Sequence, residues 1–120
     1  MHTKFLKSRT TLGVYDVARS IAFYEKALGF EVVTTMGEGP DFAIVARDGV
    51  DLGLVKTQAP AVEAFACCYF DVDGVEKAHA HAMAAGATLA SPLTRHPWGS
   101  YDFVLQDPDG HRIALGERHA

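Results

Sequence analysis

Apolar and polar positions recur along the chain in two copies of one pattern. Thr10 to Val17 (TTLGVYDV) reads as a β-strand that ends at Asp16. Ala18 to Leu28 then reads as a helix, because Val17, Ile21, Tyr24 and Leu28 fall on one face at helical spacing. Asp16 is placed to cap that helix and Gly29 to stop it. Three strand-like segments follow, at Phe30 to Thr35, Phe42 to Ala46 and Val50 to Val55. Gly-Glu-Gly-Pro at 37–40 and Asp48-Gly49 supply the turns between them. The second half repeats the order. Ala66 to Asp73 is a strand ending in Asp, Gly74 to Ala85 is alanine-rich and helical, and Gly86 closes it. Strands are expected again at Thr88 to Ala90, Tyr101 to Gln106 and Arg112 to Gly116, with Asp107-Pro108-Asp109-Gly110 as the last turn. The reading is βαβββ twice: module one about 9–57, module two about 66–117, in a single domain over 1–120.

Composition narrows the function. A chain of 120 residues with 48% hydrophobic and 22% charged residues can bury a core and is not disordered. A net charge of −4 argues against a nucleic-acid-binding surface. No apolar run is long enough for a membrane span, and Met1 to Leu12 lacks the apolar core of a signal peptide. The only two cysteines, Cys67 and Cys68, are adjacent. On a regular strand they point to opposite faces, so two free thiols in a reducing, cytoplasmic setting are expected.

The duplicated pattern, with "VYDVARSIAFYEKALGFEVV" and "DPDGHRIAL", resembles the vicinal oxygen chelate superfamily of glyoxalases, bleomycin resistance proteins and dioxygenases. The resemblance runs from about Arg9 to Glu117. It implies an α+β fold: two tandem βαβββ modules forming a half-open, strongly curved mixed sheet with a concave cleft. In the superfamily's enzymes, strand side chains converge on a divalent metal, usually through His, Glu or Gln. The matching positions here are Arg9, Gly53, Cys67 and Ala114. Glycine and alanine have no side-chain donor, arginine keeps its proton, and one thiolate is not a site. No metal and no cofactor are therefore expected. "PDFAIVARDGVDLGLV" and "HPWGSYDFVLQDPDGHRIAL" are most similar to the bleomycin resistance branch, whose members are metal-free dimers that hold a planar cationic drug between aromatic side chains. The stacking role falls on Phe42 and Trp98.

Each candidate also has an ordinary explanation. Trp98, the sole tryptophan, reads as a rim residue of the core or as a flat platform in its loop. Phe42 reads as core packing or as the second stacking ring. His96 is a loop histidine beside Trp98, or a ligand contact. His79 and His81 are expected in solvent, His111 in a turn, and His2 and His119 at the termini. Alternation along the strands sets Thr11 with Arg9, Asp51 with Gly53, and Tyr69 and Asp71 with Cys67. The register of the superfamily it resembles would also place Asp102 and Val104 inward. Arg9 and Asp102 would form a structural salt bridge or orient a charged ligand. Cys67 reads as a small buried hydrophobe or a reactive thiol.

Together these expectations describe a small-molecule binding protein acting as a homodimer. The ligand would be planar, sequestered by Phe42, Trp98, Asp102, Arg9, Thr11, Tyr69, Cys67 and His96. A glyoxalase- or dioxygenase-type enzyme with an atypical or missing metal site is the second reading, and a dimerisation module without ligand the third.

Overall fold

The computed structural model describes residues 2–118; His119 lies outside them. The element order is β1 (Thr10–Val14), α1 (Val17–Leu28), β2 (Glu31–Met36), β3 (Phe42–Arg47), β4 (Val50–Lys56), β5 (Ala66–Asp71), α2 (Val75–Ala84), β6 (Thr88–Arg95), β7 (Ser100–Gln106) and β8 (Arg112–Arg118). This is the α+β fold with βαβββ twice. Each module makes its own four-stranded mixed sheet, ordered β1-β4-β3-β2 and β5-β8-β7-β6. In each sheet the first strand lies parallel to the last and the remaining pairs are antiparallel.

Local chemistry explains where the elements begin and end. Asp16 caps α1, its carboxylate accepting from the Arg19 amide at 3.1 Å. Gly29 closes the helix at φ 70°, a left-handed conformation that costs glycine nothing. β1 stops at Val14, earlier than its apolar run suggests, because the Tyr15 amide donates to Asp109 Oδ1 at 3.0 Å instead of to a sheet partner. The second helix is capped differently. Gly74 offers no side chain, and Glu117 at the end of β8 accepts from the Gly74 and Val75 amides. β6 runs on through Pro92 to Arg95, well past the expected Ala90. It is an edge strand with two register shifts, where proline's missing N–H is tolerated.

Alternation sorts each sheet into two faces. Leu12, Val14, Val45, Leu52 and Leu54 of the first sheet are buried, as are Phe103, Leu105, Ile113 and Leu115 of the second. They share one core with α1 and α2, bridged by a run of rings: Tyr24 to Phe30 at 6.3 Å and Phe30 to Phe70 at 5.7 Å. The faces turned away from the helices carry Thr11, Gly53 and Phe42 in one sheet and Tyr69, Ala114 and Asp102 in the other.

The modules are locked by polar bonds around the Asp107–Gly110 turn. The buried Tyr24 hydroxyl of α1 donates to Asp107 Oδ2 at 2.9 Å. Asp107 Oδ1 accepts from the Asp109 and His111 amides at 3.0 and 2.8 Å. Arg19 reaches Asp109 Oδ1 at 3.1 Å. His111 is only 4% exposed, so it is more than the turn residue expected from sequence. Its Nε2 hydrogen-bonds the Gly13 carbonyl at 2.7 Å, tying the turn before β8 to β1. His79 also departs from expectation: rather than lying in solvent, it packs edge-on against Phe103, centroids 5.1 Å apart. His81 does remain exposed.

Burial, and then the neighbouring Asp107 carboxylate, push the Tyr24 hydroxyl well above its ordinary pKa, so it stays a donor. Burial also raises the Asp107 carboxyl, against the hydrogen bonds that favour its charge. Tyr24→Phe keeps the ring and strands one carboxylate oxygen, so it should lower stability by about 1–3 kcal/mol in urea denaturation. A raised folded pKa means that the native state holds the Asp107 proton longer than the unfolded chain does. Its contribution should therefore decline as pH rises from the ordinary aspartate value through the raised one. Subtracting the stability profile of Asp107→Asn should isolate that falling segment.

Candidate functional site

The loop between β6 and β7 is built to present an indole. The His96 carbonyl accepts from the Gly99 amide at 3.0 Å, and the His96 amide donates to the Ser100 carbonyl at 2.8 Å. Pro97 fixes the first central position of the turn, Trp98 takes the second, and Gly99 follows at φ 98°. Trp98 is 73% exposed, so it is no part of the core. It stacks face to face on His96, with centroids 4.4 Å apart and planes 8° from parallel.

His96 is itself held. Its Nε2 lies 2.8 Å from Asp102 Oδ1, and Asp102 Oδ2 accepts from the Tyr69 hydroxyl at 3.1 Å. Burial and the hydrogen bond to Asp102 raise the Tyr69 hydroxyl above its usual pKa, which keeps it a donor. Four of the eight expected site residues thus meet in one chain of contacts: Tyr69, Asp102, His96 and Trp98. The set offers a flat π surface beside a half-buried carboxylate. That suits holding a ring and a positive charge.

Gly116, missed in the sequence, makes this arrangement possible. A Cβ there would collide with the Tyr69 hydroxyl and lie 2.7 Å from Asp102 Cβ. Gly116 pairs with Asp102 across the β7–β8 ladder. Its parity with Ala114 was the available signal, but the overhanging tyrosine is visible only in three dimensions.

The other four expected residues are elsewhere. Arg9 does not pair with Asp102. Its guanidinium lies 3.3 Å from Asp51 Oδ2, and Lys7 Nζ reaches the same oxygen at 2.7 Å. Arg9 and Asp102 belong to different modules, and Asp51 stands nearer in sheet one. The hydrogen bond from Lys7, with further help from Arg9, holds the Asp51 carboxyl below its ordinary pKa. Phe42 opens β3 opposite Val55 and Met36, on a different sheet from Trp98. Thr11 and Cys67 line a cavity of about 440 Å³ that also touches Leu12, Ala61 and His111.

Cys67 and Cys68 do not follow the simple alternation of a regular strand. The β5 register shifts between Ala66 and Cys68 against Arg112 and Ile113, a bulge at Cys67. The neighbouring Cys68 thiol and, less strongly, the charge of His111 lower the Cys67 pKa to about 7. The Cys67 neighbour and burial push the Cys68 thiol up. Cys67 Sγ also lies 3.3 Å from the Arg112 carbonyl.

Comparison with known proteins gives this geometry a lineage. The model of the Glyoxalase/Bleomycin resistance protein/Dioxygenase superfamily matches residues 8–115. The chain belongs to that superfamily. A comparison with curated proteins found no match. Among solved structures, TioX from Micromonospora sp. ML1 is similar at 20% identity, with 92% of this chain and 97% of that one covered and a TM-score of 0.80. TnmS3, described as an antibiotic binding protein from Streptomyces sp. CB03234, is similar at 22% identity, covering 99% of each chain, TM-score 0.78. A glyoxalase-related enzyme from Clostridium phytofermentans has 18% identity, 98% coverage of both chains and a TM-score of 0.82. At these identities the structures share the fold.

The superfamily's divalent metal does not fit the residues present. Of Arg9, Gly53, Cys67 and Ala114, two have no side-chain donor and Arg9 is a cation engaged by Asp51. Among the described residues, no group of three or more His, Cys, Asp or Glu side chains is disposed to hold a metal ion.

Gly116→Ala should force Tyr69 off Asp102 and unseat His96 without touching Trp98 directly. The expected result is a more mobile indole, read as a lower fluorescence anisotropy of Trp98 in a chain whose circular dichroism is unchanged. An unaltered anisotropy would mean that the platform does not depend on that glycine.

Proposed function

We propose that this protein is a metal-free small-molecule binder that sequesters a planar, cationic aromatic ligand in the cleft of a homodimer. The observation that carries the reading is the solvent-exposed Trp98 stacked on His96, beside the Asp102 carboxylate. An indole held in water by a tight turn exposes apolar surface at a cost, and covering it with a ring recovers that cost. Asp102, already desolvated in part, adds selectivity for a cation. The similarity in fold to an antibiotic binding protein supports the same reading.

A second copy has a physical reason to bind. Val33 and Met36 on β2 are 63% and 61% exposed, and Val55 and Tyr69 are also exposed. Apolar surface of this kind on open sheet faces is normally covered. In the dimer, Phe42 would contribute the second ring, and Thr11, Arg9 and Cys67 would border the cleft. No helix among the described residues is long and apolar enough to cross a membrane. The ligand is expected to be met in the cytoplasm.

Sedimentation should give a species of two chains at micromolar concentration. Titration with bleomycin and with simpler cationic aromatics should quench the sole indole saturably. Loss of one ring stack is worth about 1 kcal/mol, and loss of a cation over the indole a similar amount. Trp98→Ala should therefore weaken binding roughly tenfold or more by calorimetry. Asp102→Asn should reduce the preference for cations and flatten the salt dependence. Saturable binding indifferent to Trp98→Ala would remove the platform from the reading. No binding across the panel would favour a dimerisation module without ligand.

A further inference from the structure

Building on the Trp98 platform proposed above, we infer that His96 makes the choice of ligand depend on a proton: the neutral imidazole admits a cationic ring, and the imidazolium disfavours it while leaving neutral rings unaffected. Histidine is the one side chain that ordinarily changes charge within the physiological pH range. Here one such ring touches both halves of the site. It stacks on Trp98 with centroids 4.4 Å apart, and its Nε2 lies 2.8 Å from Asp102 Oδ1. A carboxylate only accepts, so Nε2 carries the proton of the neutral ring and a second proton adds at Nδ1. The His96 side chain is 27% exposed, so that proton has a path from solvent.

Protonation acts on both halves in the same direction. At Asp102 it turns a hydrogen bond into an ion pair, so the carboxylate's charge is met inside the protein instead of by a ligand. At Trp98 it sets a cation against one face of the indole, and the π system then attracts a second cation less strongly on its exposed face. A neutral ring relies on the stack and meets neither penalty. The other charged groups around the site do not switch in this range. Arg118 and Asp71 flank Tyr69, which faces Asp102 from β5. Arginine stays cationic, while aspartate ionises below this range and tyrosine above it. Arg95, Tyr101 and Glu76 form a separate cluster on the other face of the hairpin, and Glu117 accepts from the α2 amides. The other described histidines are engaged elsewhere: His79 on Phe103, His81 beside the Lys26 carbonyl and His111 at the Gly13 carbonyl, while His2 precedes β1. Coupling is reciprocal, so a bound cation must in turn expel the proton from His96.

The test uses the full chain and two planar probes of similar size that do not titrate: N-methylquinolinium, a permanent cation, and the neutral N-methylquinolone. Calorimetry from about pH 8 to about pH 5.5 should show the cation weakening roughly tenfold as His96 takes up its proton, with the neutral ring binding equally throughout. Within that range, cation binding should release protons to the buffer and neutral-ring binding should not. In the ligand-free chain the imidazolium should quench Trp98 fluorescence over the same range, which reports the protonation without any ligand. His96→Gln and His96→Phe should each abolish the pH dependence of cation affinity, whatever their absolute affinities. Equal cation affinity at both ends of a range over which the indole reports protonation would overturn the gate and leave the platform standing. A slope that persists in both variants would belong to another group, and an indole unchanged with pH would mean that His96 does not titrate there; either result overturns the proposal. Binding of neither probe at any pH would remove platform and gate together.

Discussion

The buried bond between Tyr24 and Asp107 is the constraint on which the rest of the molecule depends. Two small modules, each a helix on four strands, have too little apolar surface to be stable separately without difficulty. Here they share one core, and the seam of that core contains a tyrosine hydroxyl and a carboxylate that must satisfy each other. The surrounding turn multiplies the effect. Asp107 fixes its own turn through two amides, Asp109 holds the start of α1, and His111 holds β1. One five-residue segment therefore sets how the second module sits on the first.

That rigidity extends to the open faces of the sheets. With the helix-packed faces buried, the opposite faces must carry whatever the protein recognises. The second module places a turn-bound tryptophan there, stacked on a histidine that a carboxylate and a tyrosine hold in place. Each link is an ordinary interaction. Together they fix an aromatic ring in water at one angle, and that pre-organisation lowers the entropy lost on binding. The first module places a salt-bridged Asp51 there, covered by Lys7 and Arg9 from the segment before β1.

Backbone irregularities, more than side-chain identities, distinguish this chain's sites. A missing Cβ at Gly116 admits the Tyr69 hydroxyl. A bulge at Cys67 breaks the alternation that a regular strand would give the two cysteines. Gly99 at positive φ closes the turn under Trp98. Of the positions that correspond to the superfamily's metal ligands, Gly53 and Ala114 have no side-chain donor and Arg9 is held by Asp51, while the backbone around them retains the fold.

The amino-acid sequence by itself determined both βαβββ modules, because hydrophobic period, helix caps and Asp-Gly turns are local signals that act over a few residues. Helix α1 and the Asp48-Gly49 hairpin were legible that way, whereas Trp98 read equally as core rim or platform until its 73% exposure decided it. The grouping of Trp98 with His96 and Asp102 was partly legible, since all three lie within seven residues on one hairpin. What only the tertiary structure decided involves partners far apart in the chain. Arg9 pairs with Asp51 instead of Asp102 because the modules hold separate sheets. His111 is buried because Gly13 offers it a carbonyl from 98 positions away. α2 is capped by Glu117, across 42 and 43 positions, since its own N-cap is a glycine. Hydrogen bonds between distant residues leave no periodic trace in a sequence; they exist only once the shared core has brought their backbones together.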